Sequence, residues 1–339
     1  MKKIVELPLV SPVYSTYHYQ GSGCAMIAGN PSIKNWYLSD ALMLSCTREF
    51  RWGRTTPDLE IESAKWFENP YFEVHKYPMR FLKGRIHSLI RNLLDEGYYV
   101  IFEGIDDYYV EGKSWYKECH FFHDGAICGY NSEDKTYCIY AYDSNWIYRK
   151  FWTPIKCFEK GRKSMFNLGR YGTIYGVKPK RENVEFSVSS ALENIKKYIS
   201  SKMEDYEGTK TIKVYGIAVQ DYLVLYLERL LIGKIPYQKI DRRIFRLIWE
   251  HKKAMYESIK LIEEKLHLNS DTSERYLHFI EESDKMRMLY ASYHMKRRDS
   301  ILPIIQNKLT NLRNEEQKVL ENFMNMANEA IEKSDLEIV

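Results

Sequence analysis

The chain has 339 residues, 45% hydrophobic and 28% charged, which supplies enough apolar side chain for a sizeable core and length for two domains. Its 50 basic and 46 acidic residues leave a net charge of +4, too mild an excess to argue for a nucleic-acid partner. The N-terminal Met1-Lys-Lys-Ile-Val-Glu-Leu-Pro-Leu-Val10 lacks the apolar run of a signal peptide, and no later stretch is long and uncharged enough to cross a membrane, so a cytoplasmic protein is expected.

The first segment with chemical character is Gln20-Gly-Ser-Gly-Cys24-Ala. The apolar run Ala25-Met-Ile-Ala28 predicts a helix opening after Cys24, which sets the sulfur at the positive end of a helix dipole, where a thiolate is favoured. Gln20 is placed to donate an amide hydrogen bond to a developing oxyanion. Gly29-Asn30-Pro31 ends the run within two turns. Apolar spacing then predicts helices over 36–49 and 79–95, followed by a strand from Tyr98 to Phe102. Asp106 and Asp107 read as turn carboxylates rather than a metal pair, since adjacent residues on a strand diverge.

Residues 123–129 and 137–143 are β-rich runs joined by the polar segment Asn131–Thr136, which predicts an antiparallel hairpin. With Gly129 opposite Tyr137, Ile127 faces Ile139, Gly125 faces Ala141 and His123 faces Asp143. That register sets an imidazole base beside the carboxylate that orients it, and Cys24 completes a nucleophile, base and orienter triad. Gly125 and Gly129 clear side chains from the histidine's face, as a substrate cleft requires. His120, three residues earlier, points to the opposite face. A further strand is expected at Gly172–Val177.

The six cysteines show no repeated CxxC spacing and are expected as free thiols, with Cys46 the runner-up nucleophile. Cys119, His120 and His123 lack a second ligand pair at structural-zinc spacing, so neither a metal nor another cofactor is expected.

Beyond the polar segment Lys178–Asn183 the chain turns helical. Apolar residues recur at three- and four-residue steps over 244–266 and 309–330, which predicts a bundle of roughly five helices. The fold class is α+β: an N-terminal domain over 1–180 with an antiparallel sheet, then an all-helical domain over 181–339.

Cysteine, then histidine with glycine six residues later, then aspartate on the next strand resembles the papain-like peptidases that remove bacteriocin leaders. More closely, Tyr99–Val110, the His123 strand and the Asp143 strand resemble the N-terminal domain of the butirosin biosynthesis protein H family. The likeness covers about the first half of the chain and is clearest from 99 to 145. It implies a papain-like fold and acyl transfer from a carrier-protein thioester to an amine.

The expected function is therefore a thiol acyltransferase of a biosynthetic pathway for peptide or aminoglycoside antibiotics. Cys24 attacks the thioester, His123 is the base, Asp143 holds its tautomer and Gln20 serves the oxyanion. Lys296-Arg297-Arg298, with Lys252 and Lys253 on another helix, offers a docking face for an acidic acyl or peptidyl carrier protein. Two alternatives stand beside it: a cysteine peptidase or amidohydrolase with the same triad, and a catalytically silent papain-like binding module, which the interrupted helix after Cys24 keeps open.

Overall fold

The structure, a computed structural model, describes residues 3–52, 56–82, 84–237 and 240–336. It divides into two units, Met1–Ile33 with Lys65–Asn183, and Lys34–Ala64 with Val184–Val339. The chain passes from the first unit to the second after Asn183, and residues 34–64, within the first half, also belong to the second unit.

Strand β1 (Ile4–Glu6) and helix α1 (His18–Met26) open the first unit. Helix α2 (Lys34–Asp40) and strands β2 (Leu44–Thr47) and β3 (Leu59–Ile61) belong to the second. The chain returns to the first with β4 (Phe72–Pro78), α3 (Ile86–Asp95), β5 (Tyr99–Asp106) and β6 (Phe122–Asn131). There follow β7 (Thr136–Tyr142), β8 (Tyr148–Pro154), α4 (Ile155–Asn167) and β9 (Thr173–Pro179). The remainder is α5 (Val188–Ser200), β10 (Lys213–Tyr215), α6 (Ala218–Leu231), α7 (Ile244–Lys265), α8 (Thr272–Lys296) and α9 (Ile301–Leu336).

The first unit is built on an antiparallel seven-stranded sheet ordered β4-β9-β5-β6-β7-β8, with β1 pairing the last three residues of β6. Helix α3 covers it with Ile86, Ile90, Leu93 and Leu94, which pack with Val100, Phe102, Ile127, Ile139 and Ile174. Those helix residues fall at three- and four-residue steps, so one face is apolar and burial holds it to the sheet.

The expected hairpin forms, with Ile127 opposite Ile139, but a bulge between Ile127 and Gly129 moves Gly129 opposite Cys138 and Tyr130 opposite Tyr137. The β6–β7 ladder stops at Ala126 and Tyr140, so His123 and Asp143 are not ladder partners. The two glycines serve packing instead of a cleft. A side chain at Gly125 would stand 2.7 Å from the Phe102 ring, and one at Gly129 would strike the Val5 carbonyl of β1.

The second unit is not all-helical. Five helices, α5 to α9, are described in its C-terminal part, but β10, β2 and β3 form a small antiparallel sheet. The helix expected over 36–49 ends at Asp40, and Leu44–Thr47 pairs with β3 on one edge and β10 on the other. Trp36, Leu38, Ala41 and Leu44 fit a helical stripe, yet pairing across more than 160 residues decides the outcome, as tertiary context overrides local preference.

Inside this unit Lys252 and Glu316 are an ion pair at 2.6 Å with both side chains fully buried. Tyr276 and Gln220 donate to the same carboxylate, and Lys252 also bonds the Tyr198 hydroxyl at 2.9 Å. Lys252 is therefore an internal residue and no part of a docking face. Lys252→Met leaves Glu316 buried without its cation and is expected to cost about 3–5 kcal/mol. Urea unfolding followed by helical circular dichroism checks this, and adding Glu316→Gln, which keeps an acceptor for Tyr276, restores part of the loss.

Candidate functional site

His18 is the first residue of α1, entered from an extended Tyr17. Its Nδ1 donates to the carbonyl and the carboxylate of Asp124, both at 3.1 Å, while Nε2 accepts the Tyr142 amide at 3.3 Å. The amide bond fixes the tautomer, because a nitrogen that accepts an N–H carries the lone pair. Tyr142 and Tyr148 flank the ring, each 5.3 Å away, and the His123 ring lies 4.3 Å away.

His123 sits near the start of β6, opposite Ile105 of β5. Its Nδ1 donates to Asp107 at 3.3 Å, which leaves the Nε2 lone pair 3.6 Å from the Asp124 carboxylate. Asp107 follows β5 and extends the ladder by one bond, its amide donating to Phe121 at 2.9 Å. Lys113 approaches the other Asp107 oxygen at 2.7 Å as a charge contact without hydrogen-bond alignment, its ammonium donating to the Asp124 carbonyl at 2.8 Å. The side chains of Lys113 and Asp107 are both fully buried. Phe102, for which Gly125 makes room, lies under the ammonium at 5.6 Å.

Burial, against the Asp107 bond and reinforced by Lys113 and His18, holds His123 down to about 4 from an ordinary 6.5. Burial would raise the Asp124 carboxyl, but the His18 bond, His123 and Lys113 outweigh it and keep the group ionised. His123 is thus an unprotonated imidazole at neutral pH, and Lys113, by sharing Asp107, removes much of the charge that would make it a strong base.

The remaining expected residues lie elsewhere. Cys24 is fully buried and seventh of the nine residues of α1, so the helix opens seven residues earlier than expected, at His18 rather than Ala25. Six residues along a helix place it about 9 Å from His18 down the axis and about 120° around it. Ser22, one turn on from His18, shares that residue's face and bonds the Tyr148 hydroxyl at 3.0 Å. Gln20 is fully buried in the first turn.

Asp143 does not orient His123. It closes the turn after β7, accepting the Asn145 and Ile147 amides at 2.8 and 2.9 Å and pairing with Arg149. Those bonds overcome its burial and hold its carboxyl low. Cys46 lies on β2 in the second unit, where burial pushes its thiol far above the usual range. Lys296 and Arg298 are exposed at the end of α8, and Arg297, in the left-handed conformation, stacks on Tyr237 at 3.9 Å.

No protein-family model and no curated protein matches the chain. The site is therefore read from its own atoms. His18, His123 and Asp124 bring three ligand-type atoms within 4.8 Å of one another. They do not fit a metal ion: the His18 lone pair is given to Tyr142, its proton to Asp124, and Lys113 already supplies a buried cation.

Phe121 packs on His123 at 5.0 Å, and Trp115 links it to Trp146, at 5.8 and 5.1 Å. Phe121 and Trp146 are exposed, so the histidine opens beside an aromatic lip.

Sequence reading missed His18, Lys113 and the role of Asp107. The available signal was the tandem Asp106-Asp107 at a strand end with two histidines three residues apart, one just before the next strand and one at its start, a pattern that supplies one carboxylate to each side.

The depressed His123 value has a consequence for stability. The unfolded imidazole takes up a proton near 6.5, but the folded one not until about 4, so stability present above 6.5 is lost as pH falls through that window. His251, buried in the second unit and held down to about 3, acts with the same sign. Thermal melts of wild type and His123→Gln between pH 7 and about 4 isolate the His123 share: the variant is expected to lose less stability on acidification.

Proposed function

We propose that the first unit is a papain-like module that binds an acyl-type ligand at His123 without a covalent intermediate on a thiol. The observation that supports this is the occupant beside the His123 ring, His18 at 4.3 Å, where the expected triad sets a cysteine. Cys24 is buried on another part of the same helix. The Nε2 lone pair calls for an N–H or O–H donor, and Phe121, Trp115 and Trp146 call for an apolar body. A pantetheine-borne acyl group has both, so the carrier-protein thioester enters here as ligand rather than as acyl donor, in a cytoplasmic setting.

A second reading, direct acyl transfer to an amine with His123 as general base, is favoured by the His123–Asp107 bond at 3.3 Å. The test is a panel of acyl-pantetheine thioesters with and without amines, read by tryptophan fluorescence, thioester consumption and intact mass. Saturable binding with no adduct and no consumption is expected, and His123→Ala should weaken it roughly tenfold. Amine-dependent consumption without an adduct, abolished by His123→Ala, would establish direct transfer. An acyl adduct lost in Cys24→Ala would overturn both and restore the thiol mechanism.

A further inference from the structure

Asp106 and Asp107 part to opposite sides of the β5 end, and the Asp106 side carries a second histidine. Asp106 is fully buried, and one of its oxygens accepts from His120 Nδ1 at 2.8 Å and from the Ser164 hydroxyl of α4 at 2.7 Å. The other oxygen accepts the Tyr108 amide at 3.2 Å. His120 is 58% exposed and stacks on Tyr108 at 4.3 Å, so its ring is fixed while Nε2 faces outward.

This histidine lines a groove of about 670 Å³, a size suited to a small organic ligand. Lys160 and Lys163, one turn apart on α4, line it with Ser164, which follows Lys163, and Tyr109 and Phe122 supply aromatic wall. Arg170 lies over the Phe122 ring at 4.7 Å and adds to the positive field. Lys163 has only a long contact of 3.8 Å with Glu159, whose closer partner is Arg162 at 2.5 Å. Two lysines and an oriented imidazole thus face the groove against one buried carboxylate, whose oxygens are already engaged.

We propose that this groove binds a phosphate monoester with a planar organic body, independently of any ligand at His123. Lys160 and Lys163 take the dianionic head, His120 adds a hydrogen bond from its outer nitrogen, and Tyr109 and Phe122 hold the planar part.

Phenyl phosphate is the probe, titrated calorimetrically into the full chain at low salt beside inorganic phosphate and benzoate. One phenyl phosphate per chain is expected, bound at least tenfold more tightly than either comparison compound and weakened by added salt. Lys160→Gln with Lys163→Gln, both on exposed side chains, should lower affinity roughly tenfold or more, whereas His123→Ala should leave it unchanged. The His120 ring proton, assigned with His120→Gln, should shift on addition. Affinity unchanged in the lysine variant, lost in His123→Ala, or absent in wild type overturns the proposal. Equal binding of benzoate overturns the preference for a dianion, and equal binding of inorganic phosphate overturns the aromatic wall.

Discussion

The buried pairing of Asp107 with Lys113 is the constraint around which the first unit's polar interior is arranged. A carboxylate with no solvent exposure is tolerable only if a cation is buried with it, and Lys113 supplies that cation from the loop between β5 and β6. Both partners then need their remaining atoms satisfied, which recruits His123 to the free Asp107 oxygen and the Asp124 carbonyl to the ammonium. Asp124, drawn into place, captures His18, and His18 in turn anchors the start of α1 to the Tyr142 amide. A chain of hydrogen bonds thus ties the loop, two strands and a helix together around one ion pair. The same pairing divides Asp107 between two partners, and so weakens the histidine as a base.

The divergence of Asp106, the last residue of β5, from Asp107, which follows it, gives this arrangement its second half. Asp106 seats His120 toward α4, and Asp107 seats His123 toward α1. The two histidines end in opposite surroundings: one beside exposed tryptophan and phenylalanine with a buried cation behind it, the other on a cationic groove. One dipeptide and two histidines three residues apart therefore generate two chemically distinct surfaces, each with its own oriented ring.

Much of this was legible from sequence, and the misses share a physical cause. The hairpin, the α3 stripe, the antiparallel character of the sheet and the helical C-terminal part follow from local periodicity, which is what a sequence displays. Asp143 does not meet His123 because the ladder, although in the expected register at Ile127 and Ile139, ends at Ala126 and Tyr140, and the carboxylate closes the following turn instead. Cys46 was set on a helix because the strand there exists only through partners at 59–61 and 213–215. Cys24 falls at an expected helix start because the apolar run begins only at Ala25, whereas the helix begins at His18 and runs through the polar, glycine-containing stretch before it. Lys113 carries no local signal: a buried lysine is recognisable only by its partners.

A second bulge lies in β5 between Phe102 and Ile105, at Gly104 with its φ of +65°. One extra residue in β5 reverses the parity of everything after it, and so decides which aspartate faces which side. During folding this makes the ladder self-checking. A β5–β6 alignment without the bulge would send Asp106 toward Lys113 and Asp107 toward α4, and would separate each histidine from its carboxylate. Such an alignment exchanges the two carboxylates between the sides and forfeits the bonds of Asp106 to His120 and Ser164 and of Asp107 to His123, so the misregistered sheet is penalised by lost buried hydrogen bonds as well as by lost apolar contact. The buried ions then act as a discriminator among nearly equivalent strand pairings, a task that a row of interchangeable valines and isoleucines performs poorly.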